Sequence, residues 1–215
     1  MAKLLIEKRT DSSRVFNMDD TSFTPKSTSR TVIAIRGSTN VWKQEIKPNF
    51  HMSVVAAFSA SGIAVPPLII LPGVRLLKTE LAALSIDGVC VTSVPKGFSN
   101  ASIFKEWLVI FCTVLESQGI QKPVILNLNN SSTHVNTEYV NFCCDHGILM
   151  IALLATATHL FQPLDVAVFK PFKTIVHERL QLQMFETVDP TLSKQKVILI
   201  VCDSYRSAIM NYVTF

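Results

Sequence analysis

Val124-Ile-Leu-Asn-Leu-Asn129-Asn-Ser-Ser-Thr-His134, then Thr137-Glu-Tyr-Val-Asn-Phe-Cys-Cys-Asp145, then Ile148-Leu-Met-Ile-Ala-Leu-Leu-Ala155 is the stretch that decides the fold. Pro123 precedes a strand over 124–128, the middle piece has helical character over 137–146 and stops at Gly147, and a continuous apolar strand follows over 148–155. An uninterrupted apolar run of strand length is expected where a sheet is covered on both faces. Strand, helix and strand in that order imply a parallel crossover.

Upstream, the pattern changes. Residues 14–18 form a short β-type run that ends at Asp19, and the Thr/Ser/Pro/Lys-rich stretch 21–30 reads as a loop, so a strand is expected to deliver an acid to a loop. Residues 31–36 are β-rich and stop at Gly37. Two apolar runs, 51–60 and 63–71, are separated by Ser61-Gly62 and suggest an antiparallel hairpin. A short helix over 76–84 and a short strand over 89–93 follow. Asn100 can cap a helix whose apolar stripe, Ile103, Phe104, Trp107, Leu108, Phe111 and Leu115, has helical spacing and stops near Gly119. Downstream, 166–185 reads as a long helix in which Pro171 marks a kink or the first turn, and 191–212 as another. Antiparallel strands first, then alternating helix and parallel strand, give an α/β mixed sheet flanked by helices, the outline of a ribonuclease-H-like fold. The organisation expected is a polar lead-in over 1–13, one domain over 14–185 and a helical extension over 186–215.

Composition sets the bounds. The chain has 215 residues, 48% hydrophobic and 17% charged, so it is too apolar for disorder. No apolar run approaches the length of a membrane span, and the N-terminus lacks a signal peptide's apolar stretch, so an intracellular protein without a membrane is expected. Five cysteines form an odd set with no CxxC pair, which suggests neither a disulfide framework nor a structural zinc site. A net charge of +4 permits contact with phosphates without demanding it.

Three blocks carry chemistry. Phe16-Asn-Met-Asp19-Asp-Thr-Ser-Phe23, Asn129-Asn-Ser-Ser-Thr-His134 and His159-Leu-Phe-Gln-Pro-Leu-Asp165-Val-Ala-Val-Phe169, with Lys96-Gly-Phe-Ser-Asn100 leading into Phe104-x-x-Trp107-Leu108, resemble the DDE superfamily endonuclease domain of pogo, Tigger and jerky-type transposases, a group that includes centromere protein B relatives. The resemblance covers most of the chain. It implies that Asp19, position 129 and Asp165 are the catalytic, metal-holding positions, with Mg2+ or Mn2+ as cofactor, DNA as partner through backbone contacts, a nuclear location and a possible homodimer. Asp165 follows Asn129 at the family's spacing, so Asn129 reads as a point substitution of the second acid. Leu154-Ala-Thr-Ala-Thr-His159 departs from the family's Leu-Pro-Pro-x-x-Thr-His.

The chemistry needs carboxylates. Strand cleavage of this type is an in-line displacement at phosphorus, with two divalent ions about 4 Å apart activating water and stabilising the leaving oxygen. Such ions prefer hard anionic oxygens. Asn129 keeps one oxygen but removes a full charge, so catalysis is expected to be impaired. Alternation along a strand turns Asp20 to the face opposite Asp19, and Asp145 falls at a helix end, so neither replaces the missing acid. Taken alone, Asp19 reads as a loop cap, Asp165 as a helix N-cap and His134 as a hydrogen-bonding or capping residue. Ser131 or Ser132 with His134 lacks a nucleophile elbow. Two other functions stay open. One is an active endonuclease or integrase in which the Asn129 carbonyl coordinates metal. The other is a structural relic without nucleic-acid affinity. Any phosphate contacts would come from residues such as Lys26, Arg30, Arg36, Lys43, Lys170 and Lys173.

Overall fold

A computed structural model describes residues 10–23, 35–38, 51–131, 134, 136–153, 162–186 and 192–210. The elements are β1 (Val15–Phe23), β2 (Met52–Ser59), β3 (Ala64–Pro72), α1 (Lys78–Leu81), β4 (Cys90–Val94), α2 (Ala101–Ser117), β5 (Val124–Asn129), α3 (Thr137–Asp145), β6 (Ile148–Leu153), α4 (Phe169–Glu186, entered through a π-turn at Leu164–Val168) and α5 (Lys194–Tyr205, continued by a π-turn at Arg206–Met210). Six strands make one mixed sheet in the order β4-β3-β2-β1-β5-β6. β1, β2 and β3 are antiparallel neighbours, whereas β4 joins β3, β5 joins β1 and β6 joins β5 in parallel. This is the α/β mixed sheet flanked by helices that the sequence pattern implies.

Alternation explains the two cores. On β1, Phe16 and Met18 face the layer that holds Trp107, Phe111 and Leu126, with the rings of Phe16 and Phe111 edge to face at 5.1 Å. Phe23 faces the opposite layer and meets Phe172 of α4 at 5.7 Å. Phe169, Phe172, Val176 and Leu180 recur at helical spacing and are all buried against that side. Tyr205 of α5 is fully buried there, and its hydroxyl donates to the Val65 carbonyl at 2.8 Å. Asn100 caps α2 by accepting from the Ile103 N–H at 3.0 Å, as its side chain predicts.

Two expectations are corrected. The chain does not become a loop after Asp19. β1 runs on through Thr21 and Ser22 to Phe23, because β2 pairs with it as far as Met52 and because Thr21 and Phe23 are buried. β6 is an edge strand, and Leu149 to Leu153 are half-buried or exposed rather than covered on both faces. Its apolar content marks pairing with β5, not a central place. Pro171 is the third residue of α4 and stands in its first turn, one of the two places expected for it; the carbonyl that its absent N–H would have met belongs to Ala167, within the preceding π-turn.

The hairpin at Ser61-Gly62 is observed, with Gly62 at φ 94°. Its ladder shifts register between Val55 and Ala57, opposite Pro66 and Pro67, which have no N–H to donate. All five cysteines are free. The strand expected over 31–36 lies largely outside the described residues, as do Lys26, Arg30, Lys43 and His159. No helix among the described residues is long and apolar enough to cross a membrane.

Candidate active site

Parallel pairing of β1 with β5 sets Asn17 beside Asn127. Two residues further on, the same face presents Asp19 and Asn129 on adjacent strands, whose spacing is about 4.8 Å. Asn129 Nδ2 donates to Asp19 Oδ1 at 2.9 Å. The other end of the amide is equally occupied: Asn129 Oδ1 accepts from the Ser131 N–H at 3.3 Å and lies 2.7 Å from His134 Nδ1. A backbone N–H can only donate, so Ser131 fixes Oδ1 on its side and turns Nδ2 toward Asp19. By the same logic His134 carries its proton on Nδ1. Its ring is buried against Phe104 at 4.6 Å, and burial lowers its pKa to about 4, so it is neutral at physiological pH.

Asp19 is 3% exposed. Burial, then the charge of Asp165, then that of Asp20 raise its pKa to about 7, against the hydrogen bond it accepts from the Asp20 N–H at 2.9 Å. Asp165 occupies the first turn of the π-turn, exposed to solvent, and is not an N-cap, since Pro163 holds that position. Asp19 is mid-strand rather than a loop cap. The three positions singled out from sequence therefore converge: Asn129 touches Asp19, and the charge of Asp165 reaches it.

Asp20 follows Asp19 on β1. Its carboxyl is half-buried and is raised by burial and then by the charge of Asp165. Alternation along the strand separates the two side chains as expected, while the charge of Asp165 acts on both. Asp145 ends α3, as expected.

Asn17 and Gln162, quoted above only as parts of motifs, do the positioning. Gln162 is fully buried and Asn17 nearly so. Asn17 Oδ1 accepts from the Leu164 N–H at 3.2 Å, satisfying a donor at the helix start from across the fold. Asn17 Nδ2 donates to Gln162 Oε1 at 3.1 Å, and Gln162 Nε2 donates to the Met18 carbonyl at 3.0 Å. This clamp ties the turn that carries Asp165 to the strand that carries Asp19. Two amides in otherwise apolar runs were its only signal in the sequence.

The donor set does not fit a pair of divalent cations. Asn129 offers N–H groups where an anionic oxygen is needed, and one Asp19 oxygen already accepts two hydrogen bonds. Among the described residues no three His, Cys, Asp or Glu side chains are grouped to hold a metal ion.

Comparison with known proteins gives this geometry a context. The MFS-type transporter clz9 of Cochliobolus lunatus is 21% identical over 122 residues, 57% of this chain and 13% of that protein. Among solved structures, the Mos1 transposase paired-end complex with the left transposon end matches with a TM-score of 0.55 at 12% identity, covering 100% of this chain and 60% of that one. The Mos1 mariner paired-end complex with Mn matches at 0.52 and 11% identity, again with 100% and 60% coverage. The chain thus spans little more than half of the Mos1 chain and about an eighth of the curated relative. These likenesses show the fold. The family model for DDE superfamily endonucleases matches residues 52–211, which include Asn129 and Asp165 and leave Asp19 to be placed by the pairing of β1. With that match over most of its length, the chain belongs to the DDE superfamily endonuclease family.

Proposed function

We propose that the chain is a DDE endonuclease-like domain that contacts nucleic acid through the phosphate backbone and has lost, or nearly lost, strand cleavage. The observation that carries this reading is the hydrogen bond from Asn129 Nδ2 to Asp19 Oδ1. It fills with a neutral donor the place where a bridging carboxylate would gather cations. Engagement of Asn129 Oδ1 by Ser131 and His134 also argues against metal coordination through the amide carbonyl.

A strand-cleavage assay in Mg2+ or Mn2+ comparing the unmodified chain with Asn129→Asp tests it. The unmodified chain is expected to cleave at background level and the variant to gain metal-dependent cleavage. Robust cleavage by the unmodified chain overturns the loss of activity. Nucleic-acid contact is tested separately by titration against duplex DNA, where affinity should fall steeply with salt; negligible, salt-insensitive affinity would leave a structural relic.

A further inference from the structure

The Lys96-Gly97-Phe98 segment has no part in the acid cluster, yet it stands at the same end of the sheet. Phe98 is 53% exposed, unusual for a ring this large, and it stacks on His51 with centroids 3.8 Å apart and an interplanar angle of 28°. The stack is held from behind. His51 Nε2 lies 3.2 Å from the hydroxyl of Ser53, a residue 1% exposed at the start of β2. The turn bearing Phe98 is equally fixed. The Gly97 N–H donates to the Val94 carbonyl at 3.0 Å, and Gly97 has φ +72° with its α-carbon so near β2 that a Cβ would stand 2.7 Å from the His51 carbonyl oxygen. Only glycine suits that position. Lys96, next in the same turn, is exposed.

We propose that Phe98, backed by His51 and flanked by Lys96, is a stacking platform for an unpaired nucleotide base of a nucleic acid that reaches the acid cluster. This rests on the nucleic-acid contact proposed above and names its form. A rigid exposed ring offers a face to any base, a neighbouring cation suits the phosphate, and such platforms with basic flanks are how single strands are held. Location supports the pairing of the two features. His51 immediately precedes Met52, which pairs with Phe23, and Phe23 is four residues beyond Asp19 on β1. At strand dimensions His51, one residue further out than Met52, stands about 17 Å along the sheet from Asp19 and about 5 Å across it. Burial holds the His51 pKa below its ordinary value, so the supporting ring is uncharged at neutral pH.

The test is fluorescence anisotropy of the full chain with a labelled oligothymidylate, and with a blunt duplex as comparison. Phe98→Ala is expected to weaken the single strand about tenfold or more, the loss of one stacked base. Its log-log salt slope and its duplex affinity should not change. Phe98→Trp should keep the affinity, and Lys96→Ala should lower the salt slope by about 0.7. Because Phe98 is exposed, Phe98→Ala should melt like the parent. Equal single-strand affinity in Phe98→Ala overturns the platform while leaving phosphate contact intact, and so does an equal loss on single strand and duplex. A parent chain that binds neither probe overturns both readings.

Discussion

Replacing Asn129 by Asp would put a carboxylate oxygen where Nδ2 now sits, 2.9 Å from Asp19 Oδ1. Two effects add. A hydrogen bond to a charged group is removed, worth about 1.5–3 kcal/mol. Two like charges about 4 Å apart also repel by about 4 kcal/mol at an effective dielectric near 20. Sharing one proton between the carboxyls relieves part of this, as in other close carboxylate pairs, so a net destabilisation of about 3–5 kcal/mol is expected in EDTA at pH 8. For a domain of this size each kcal/mol lowers Tm by about 2–4 °C, giving a fall on the order of 10 °C. Manganese should offset more than half of it, since a ligand at a hundred times its Kd returns about 2.7 kcal/mol. The assay is thermal unfolding of both proteins in EDTA and in Mn2+. Equal melting in EDTA, or an Asn129→Asp variant indifferent to manganese, would refute the idea that a neutral amide has replaced a cation-bridging acid.

Other outcomes follow from the same geometry. With its pKa raised to about 7 in the fold, Asp19 binds a proton that the unfolded chain releases near 3.8. The folded state is then the more protonated one, so its contribution is fully present below about pH 3.8 and is lost as pH rises through about 7. Asp19→Asn should therefore gain in Tm over the parent as pH goes from 4 to 8, and a constant difference would contradict it. Gln162→Leu leaves Asn17 Nδ2 and the Met18 carbonyl short of a partner each. It should cost about 2–4 kcal/mol in urea unfolding, and combined with Asn129→Asp it should abolish the manganese response. Lys170→Ala with Lys173→Ala is expected to reduce the salt slope of duplex binding by nearly two if both meet phosphates.

Local chemistry made much of this architecture legible. Gly62 between two apolar runs marks a hairpin, Asn100 before a helical stripe marks a cap, and the run from Val124 to Leu153 reads as a crossover because each period is long enough to be unambiguous. What escaped depends on partners distant in sequence. Thr21 and Phe23 look like loop because of the polar residues after them, and they are strand because Val54 and Met52 pair with them. The apolar run of β6 gives no sign of its edge position, since its residues are apolar although all but Ile148 are half-buried or exposed. In the site, motif spacing located Asp19, Asn129 and Asp165, but not the clamp between Asn17 and Gln162, residues separated by most of the chain. The bond from His134 to Asn129 spans only five residues, yet it depends on a turn whose shape periodicity does not encode.

The bond from Tyr205 to Val65 joins positions 140 residues apart. During synthesis the β2–β3 hairpin emerges long before α5, and its apolar face, Val54, Ala56, Ile69 and Leu71, waits for a helix that the ribosome has not yet released. Folding of this layer is thus held back to a late stage of translation. A product truncated ahead of residue 192 would carry that uncovered surface permanently, as a substrate for chaperones and proteases rather than as a smaller working domain.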